Sequence, residues 1–357
     1  MDNNNYAIIM AGGIGSRFWP LSKKELPKQF LDILGLGETL IQQTFKRLSL
    51  ICPSKNIFIV THQDYFTLCK EQLPKITDSQ ILCEPVMRNT APCIAYAAFK
   101  IHALNKDAKL IVAPSDHLIT NNEEFKTTIN EIFEIIEDKD YLVTLGIHPT
   151  RPDTGYGYIQ YDDTNTLDEN HNIKKVKTFT EKPNRDLALQ FLDSGDFLWN
   201  SGIFAFTSDA LINSYKKHLR DVYDIFISGT KFYNTKKEQE FINRVFPSCK
   251  NISIDYGILE KSDFVYVYPS SFGWSDLGTW GSIDSHLEKN NDNNSMRGGG
   301  AINLYDSRDN IVILDSIKEC VISGLTGYIV IQSGGSLLIC RKSDEQEIKK
   351  FVGDLKT

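Results

Sequence analysis

The chain has 357 residues, long for one domain, so a large domain with a smaller one is expected. Its 41% hydrophobic and 24% charged content is ordinary for a soluble globular protein. A net charge of −7, from 39 basic and 46 acidic residues, argues against a nucleic-acid binder, which carries a basic excess. An anionic small substrate would have to be met by a few local cations.

In chain order, the polar start MDNNN runs straight into an apolar segment, Tyr6 to Met10, and no signal peptide is expected. No apolar stretch approaches the length of a membrane span. Further strands are expected at Ile57–Val60, Ile81–Cys83, Lys109–Ala113 and Tyr141–Gly146. Helical patterns lie between them at Thr39–Leu50, Gln63–Leu73, Thr90–Leu104 and Glu123–Glu137. This β-α-β order predicts an α/β fold with a parallel sheet, whose ligands sit beyond the carboxyl ends of the strands.

From about Gly155 the pattern turns β-rich, with Gly157–Tyr161, Ile173–Phe179 and Ile203–Phe206. It reads as an insertion that covers the crevice and offers a second half-site. Residues 288–300, EKNNDNNSMRGGG, read as a linker between a catalytic portion, 1–287, and a small β-rich portion, 301–357. Strands are expected there at Ile311–Leu314, Glu319–Ile322, Gly327–Gln332 and Ser336–Cys340, then a helix near Asp344–Leu355. No fixed-period repeat is evident. The seven cysteines are scattered without a C-x-x-C pair, which suggests free thiols in a reducing, cytoplasmic setting.

The most informative stretch is AGGIGSRFWPLSKKELPKQFL, residues 11–31. Gly12, Gly13 and Gly15 at the end of a strand let backbone N–H groups approach a phosphate, and Arg17 and Lys28 add two cations. The spacing fits neither a Walker A loop nor the G-x-G-x-x-G dinucleotide fingerprint. It is a third kind of phosphate loop, with a glycine-rich surface turn as the bland alternative.

Other clusters follow strands. Guanine presents donors at N1 and N2, for which Glu84 is an acceptor, while Asn89 or Thr90 can equally cap a helix. Asp116, in PSDH, follows a buried strand as a Mg²⁺ carboxylate would, or as a turn former would. His117 reads as a structural hydrogen-bonder. In DTGYGY, Gly155 and Gly157 can offer amides to hydroxyls, and Tyr156 can pack on a sugar ring. Glu181 and Lys182 supply a carboxylate and a cation, with a surface ion pair before a loop as the bland alternative. Asn200 is an amide beside Trp199, and Asp255 is a further acid at a helix start, where capping competes as an explanation. Asp276 lies in GWSDLGTW. All four tryptophans (19, 199, 274, 280) fall inside such clusters, which favours a lined pocket over scattered core filling.

The stretches AGGIGSRFWPLS with PKQFL, EPVMRNTAPCIA, VAPSDHLI, GIHPTRPDTGYGYIQ, FTEKP, WNSGIF, SIDYGILEK and GWSDLGTW occur in this order. Together they make the chain resemble the mannose-1-phosphate guanylyltransferases, or GDP-mannose pyrophosphorylases. Departures are mild: Asp153 stands where the family often has Glu, Leu277 where Val is common, and Thr279 where Ser is common. The resemblance implies a Rossmann-like nucleotidyltransferase fold with a mostly parallel mixed sheet. It also implies the reaction of GTP with α-D-mannose 1-phosphate to give GDP-mannose and diphosphate. By the same resemblance, Gly12, Gly13, Gly15 and Arg17 would hold the triphosphate, and Glu84, Asn89 and Thr90 would read the base. Asp116 and Asp276 would carry Mg²⁺, with Lys28 and Lys182 near the reacting phosphates. Tyr156, Gly157, Glu181, Asn200 and Asp255 would hold the sugar.

Long relatives add a cupin-like isomerase domain, and isomerase activity is not expected of this chain. A homodimer through the C-terminal portion is one open arrangement. Two other readings fit the same residues: the same transfer to another sugar 1-phosphate, such as a manno-heptose 1-phosphate, and a non-catalytic nucleotide-sugar sensor. Retention of Arg17, Lys28, Asp116 and Asp276 argues against the sensor.

Overall fold

The computed structural model describes residues 2–13, 15–168 and 171–355. Two compact units are present. The first comprises Met1–Gly12, Thr44–Ser115 and Ile119–Trp274, the second Gly13–Gln43, Asp116–Leu118 and Ser275–Thr357. The division therefore does not follow the expected boundary at 287. Gly13, Gly15, Asp116 and Asp276 group with the C-terminal segment, because their neighbours Phe18, Leu118 and Leu277 share one apolar core with it.

The first unit is built on a nine-stranded sheet. Its strands are β1 (Asn5–Ala11), β2 (Ile57–His62), β3 (Ile81–Glu84), β4 (Lys109–Pro114), β5 (Leu142–Ile147), β6 (Gly157–Asp168), β7 (His171–Glu181), β8 (Phe197–Thr207) and β9 (Val265–Ser270). The spatial order is β3-β2-β1-β4-β8-β5-β9-β7-β6, with β6 also pairing β8. β1 to β4 run parallel, as does β5 with β9, while β8 lies antiparallel to β4 and β5. The apolar runs at Tyr6, Ile57, Ile81 and Lys109 are buried on both faces, as strands covered by helices require.

The β-rich stretch after Gly155 is thus no separate cover. β6, β7 and β8 continue the main sheet, because their alternating apolar residues (Tyr158, Ile159, Leu198) find partners on its neighbours. Helix α1 (Thr90–Leu104) is apolar nearly all round, TAPCIAYAAFKIHAL, and eleven of its residues are buried at the centre of the unit.

In the second unit, β10 (Ser295–Gly298), β12 (Ile311–Leu314) and β14 (Tyr328–Ser333) stack in parallel, and β15 (Ser336–Arg341) closes the sheet. β11 (Ala301–Tyr305) and β13 (Glu319–Ser323) form a second parallel pair. Ser295 lies opposite Ile311 and Ile311 opposite Ile329, steps of 16 and 18 residues, so the chain coils as a short solenoid. Part of the expected linker is therefore the first strand of this coil. The sequence hides the period because the steps differ, and the repeat is carried by side chains such as Asn294 and Asn310, which stack at one corner through a 2.9 Å bond. Phe18, Leu21, Leu277, α2 (Trp280–Asp284), Ile311, Ile329 and Ile348 of α3 (Ile348–Asp354) share the core.

Candidate functional site

The second unit holds Gly13, Gly15, Arg17, Lys28, Asp116 and Asp276 of the residues expected at the phosphates, whereas Gly12 and Lys182 belong to the first. Gly15 has φ +68°, and a Cβ built on it would stand 2.6 Å from the Cβ of Lys28. Only glycine allows both the left-handed turn and this approach. Lys28 is buried over the Phe18 ring, and its ammonium donates to Asp116 Oδ2 at 3.0 Å and to the main-chain oxygen of Asp276 at 2.7 Å. A buried lysine needs such partners, since taking a charge out of water is costly unless it is paired. Burial pushes the Asp116 carboxyl up, but Lys28 and then His117 outweigh it, so it stays ionised below the usual range. The side chain keeps about a third of its surface exposed, 32%.

Asp276 Oδ1 accepts from the N–H of Gly278 at 2.8 Å, and a Cβ on Gly278 would meet the same carboxylate at 2.3 Å. Arg17 reaches the Gly278 oxygen at 3.5 Å. These residues line a cavity of about 330 Å³, completed by Ser16, Phe18, His117 and Lys349. Asp116 and Asp276 both face it, so acids far apart in sequence meet here. Among the described residues, no three acidic, histidine or cysteine side chains gather as a metal cage. Two carboxylates beside a phosphate-binding loop suit a cation that keeps phosphate oxygens as its other ligands.

The first unit holds the residues expected at the base and the sugar. Gly12 leaves the carboxyl end of β1, and Glu84 ends β3. Glu84 is 4% exposed, its Oε1 has no hydrogen-bond partner, and burial pushes its carboxyl up to about 8. Asn89, at φ 66°, caps α1 through Thr90 N at 2.8 Å. Thr90 Oγ1 instead accepts from Ile254 N at 2.9 Å, which fixes the segment carrying Asp255.

Around Gly157 the sugar candidates converge. Gly157 pairs in register with Glu181, and a Cβ on it would stand 2.6 Å from Glu181 Oε2. Glu181 and Lys182 form an ion pair. Asn200, placed by β8, donates to Asp255 Oδ1 at 2.8 Å and accepts from Thr144 at 3.3 Å. Burial raises the Asp255 carboxyl, against the pull of Asn200 and with a push from Glu181.

Tyr156 is placed differently from expectation. It is buried, edge-on to Trp199 at 4.9 Å and Trp274 at 5.3 Å, with Arg151 on its hydroxyl at 3.2 Å. It supports the site wall, and little of its ring faces outward. The N–H of Gly155 is taken by Asp153 Oδ1 at 2.8 Å. Two of the four tryptophans likewise depart from the sequence reading. Trp199 and Trp280 are buried core residues, the latter packed on Phe18 at 5.2 Å, because a large ring next to a functional loop is what holds that loop in place.

Eight non-glycine residues have positive φ among the described residues, and six are Asn or Asp. The two others are Lys182 (φ 48°) and Leu277 (φ 46°), each beside a site carboxylate. Backbone strain of this kind persists only where surrounding structure enforces it. Sequence reading missed Lys349 and Gly278. No motif marks the former, and the latter was only part of GWSDLGTW.

A family model described as Nucleotidyl transferase matches residues 6–293. A Salmonella montevideo protein named mannose-1-phosphate guanylyltransferase is 37% identical, over 98% of this chain and 73% of its own. The alginate biosynthesis protein AlgA of Pseudomonas aeruginosa is 35% identical, over 98% of this chain and 71% of its own. Among solved structures, a Thermus thermophilus protein described as a mannose-1-phosphate geranyltransferase superposes with a TM-score of 0.86 at 28% identity, covering 99% of this chain and 100% of that one.

Proposed function

The chain belongs to the nucleotidyl transferase family, and from that premise we propose that it transfers a guanylyl group from GTP to α-D-mannose 1-phosphate, giving GDP-mannose and diphosphate. The observation that carries this reading is buried Lys28, which ties Asp116 to the Asp276 segment in the cavity that Arg17 and the glycine loop also line.

Each set of residues receives its partner by its own chemistry. The N–H groups of Gly12, Gly13 and Gly15, with Arg17, hold the triphosphate. The unpartnered buried oxygen of Glu84 accepts from guanine N2–H, its carboxyl takes N1–H as well when ionised, and Asn89 and Thr90 shape the rest of the base site. Gly157, Glu181, Asn200 and Asp255 hold the sugar hydroxyls, Tyr156 backs them, and Lys182 meets the sugar phosphate. Asp116 and Asp276 would hold Mg²⁺, which would neutralise phosphate charge and favour pyrophosphate departure.

A phosphate monoester has a second pKa of about 6, so the sugar phosphate is already mostly dianionic at neutral pH. No general base is needed. An oxygen of that phosphate attacks the α-phosphorus in line, and the bond to the β-phosphate bridging oxygen breaks. Lys28 and Arg17 then face the charge that builds on the leaving group.

All seven cysteines are free thiols, which supports a cytoplasmic setting. Among the described residues, no helix is long and apolar enough to cross a membrane. Exposed Tyr305, Val321, Leu337 and Ile339 support a homodimer through the C-terminal segment, to be checked by light scattering.

The test is a pyrophosphate-release screen crossing four nucleoside triphosphates with mannose, glucose and manno-heptose 1-phosphates in Mg²⁺. GTP with mannose 1-phosphate should give the highest kcat/KM. Release from none of the pairs defeats the reading, and a preference for the heptose would reassign the sugar.

A further inference from the structure

The C-terminal helix α3 is anchored beside the phosphate cavity. Ile348 is fully buried in the core that also holds Phe18, Leu277 and Trp280, and Glu345 just before it accepts from Gly281 N at 2.9 Å. Lys349, next to this anchor, lines the same cavity as Gly15, Arg17, Lys28, Asp116 and Asp276. Lys28 is committed to Asp116 and to the Asp276 carbonyl. Among the described residues the Lys349 side chain makes no ion pair or hydrogen bond, whereas its neighbour Lys350 pairs with Glu347 at 4.0 Å. A cation without a counter-charge, lining the same cavity as Gly15 and Arg17, is suited to an anion that arrives with the substrate.

We propose that Lys349 binds the β- and γ-phosphates of the nucleotide, and the pyrophosphate they become, so that the C-terminal helix completes the phosphate site. This rests on the guanylyltransferase reading above. Lys349 acts by charge alone. No proton is transferred, and its ammonium offsets the negative charge that passes to the leaving group.

The experiment compares K349A, K349R and K350A with the unaltered protein in both directions of the reaction, and measures thermal unfolding of each. K349A should raise KM for pyrophosphate in the reverse reaction, and for GTP in the forward one, by about tenfold, the loss of one charge-assisted contact. KM for mannose 1-phosphate and the unfolding temperature should stay as they were. K349R should restore most of the affinity, and K350A should match the unaltered protein. Unchanged KM for both phosphates in K349A overturns the proposal. So does a parallel rise in every KM with a fall in unfolding temperature, which would mark a structural role. Should the unaltered protein make no GDP-mannose, the function reading fails by itself. Calorimetric binding of Mg²⁺-pyrophosphate to the unaltered protein and K349A then decides the role of Lys349: about tenfold weaker binding in K349A sustains it, and equal or no binding refutes it.

Discussion

Gly15 and Lys28 approach so closely that a Cβ at position 15 would overlap the first carbon of the lysine side chain, 2.6 Å away. The turn at Gly15 and the buried Lys28 are therefore one packed object. Gly15→Ala would add this clash to a left-handed φ of +68°, whose steric cost for an L-residue is about 1–2 kcal/mol. Turnover should fall by at least about tenfold, with a measurable loss in urea stability. Unaltered kcat in the purified variant would contradict the proposed role of the loop.

The two acids should respond differently to substitution. Lys28 bonds the Asp116 carboxylate but only the main-chain oxygen of Asp276. Asp276→Ala should stay folded while kcat drops roughly 10²–10⁴-fold, the range expected when several kcal/mol of metal-assisted stabilisation are lost. Asp116→Ala should lose turnover and also stability, since it leaves a buried ammonium with one partner fewer. Near-normal turnover in both variants would remove the metal assignment, and equal melting curves would remove the distinction between them.

Glu84 gives a pH dependence with a defined sign. Burial raises its carboxyl from an ordinary 4.5 to about 8. Below pH 4.5 the folded and unfolded chains both carry the proton. Between there and about pH 8 only the unfolded chain ionises, so folding weakens as pH rises, and the full cost is present above about 8. That cost is on the order of 5 kcal/mol. Glu84→Gln should therefore be more stable than the native chain at pH 9 and no more stable at pH 4, read by chemical denaturation. The same variant should lose preference for GTP over ITP, which lacks the N2 donor. Retained preference would move base reading elsewhere.

At the sugar site, Gly157→Ala would press on Glu181 Oε2 from 2.6 Å. Steady-state kinetics should show KM for mannose 1-phosphate raised by about tenfold or more, with KM for GTP little changed. A rise in the GTP constant alone would place Gly157 at the other substrate.

Asp284 holds the second unit together. It accepts from Lys289 and Lys342 at 3.0 Å each and from Ser295 at 2.5 Å. Burial raises its carboxyl, but Ser295 and the two lysines outweigh that and hold it below the usual range. Its contribution is therefore present above the unfolded value and lost as pH falls. Asp284→Ala should destabilise by roughly 1–3 kcal/mol, the loss of charge-assisted hydrogen bonds to a buried carboxylate whose lysine partners can turn to water. A change under 1 kcal/mol in denaturant titration would show that solvent screens the lysines.

Much of this protein was legible in its residues alone. Apolar runs such as Tyr6–Met10 and Lys109–Ala113 are followed by glycines or by Asp116, because strand, turn chemistry and phosphate contact are all local requirements. They determined the β-α-β order and the family resemblance, and they supplied the site residues that are proposed. Tertiary structure decided what depends on packing between distant segments. It joined the glycine loop to the C-terminal core, extended the sheet through β6 to β8, buried Tyr156 and Trp280 as supports, and brought Lys349 to the phosphate cavity. A sequence records which side chains are available. Which of them share a core, and so which cations and carboxylates meet, is settled only when the chain buries its apolar surface as a whole.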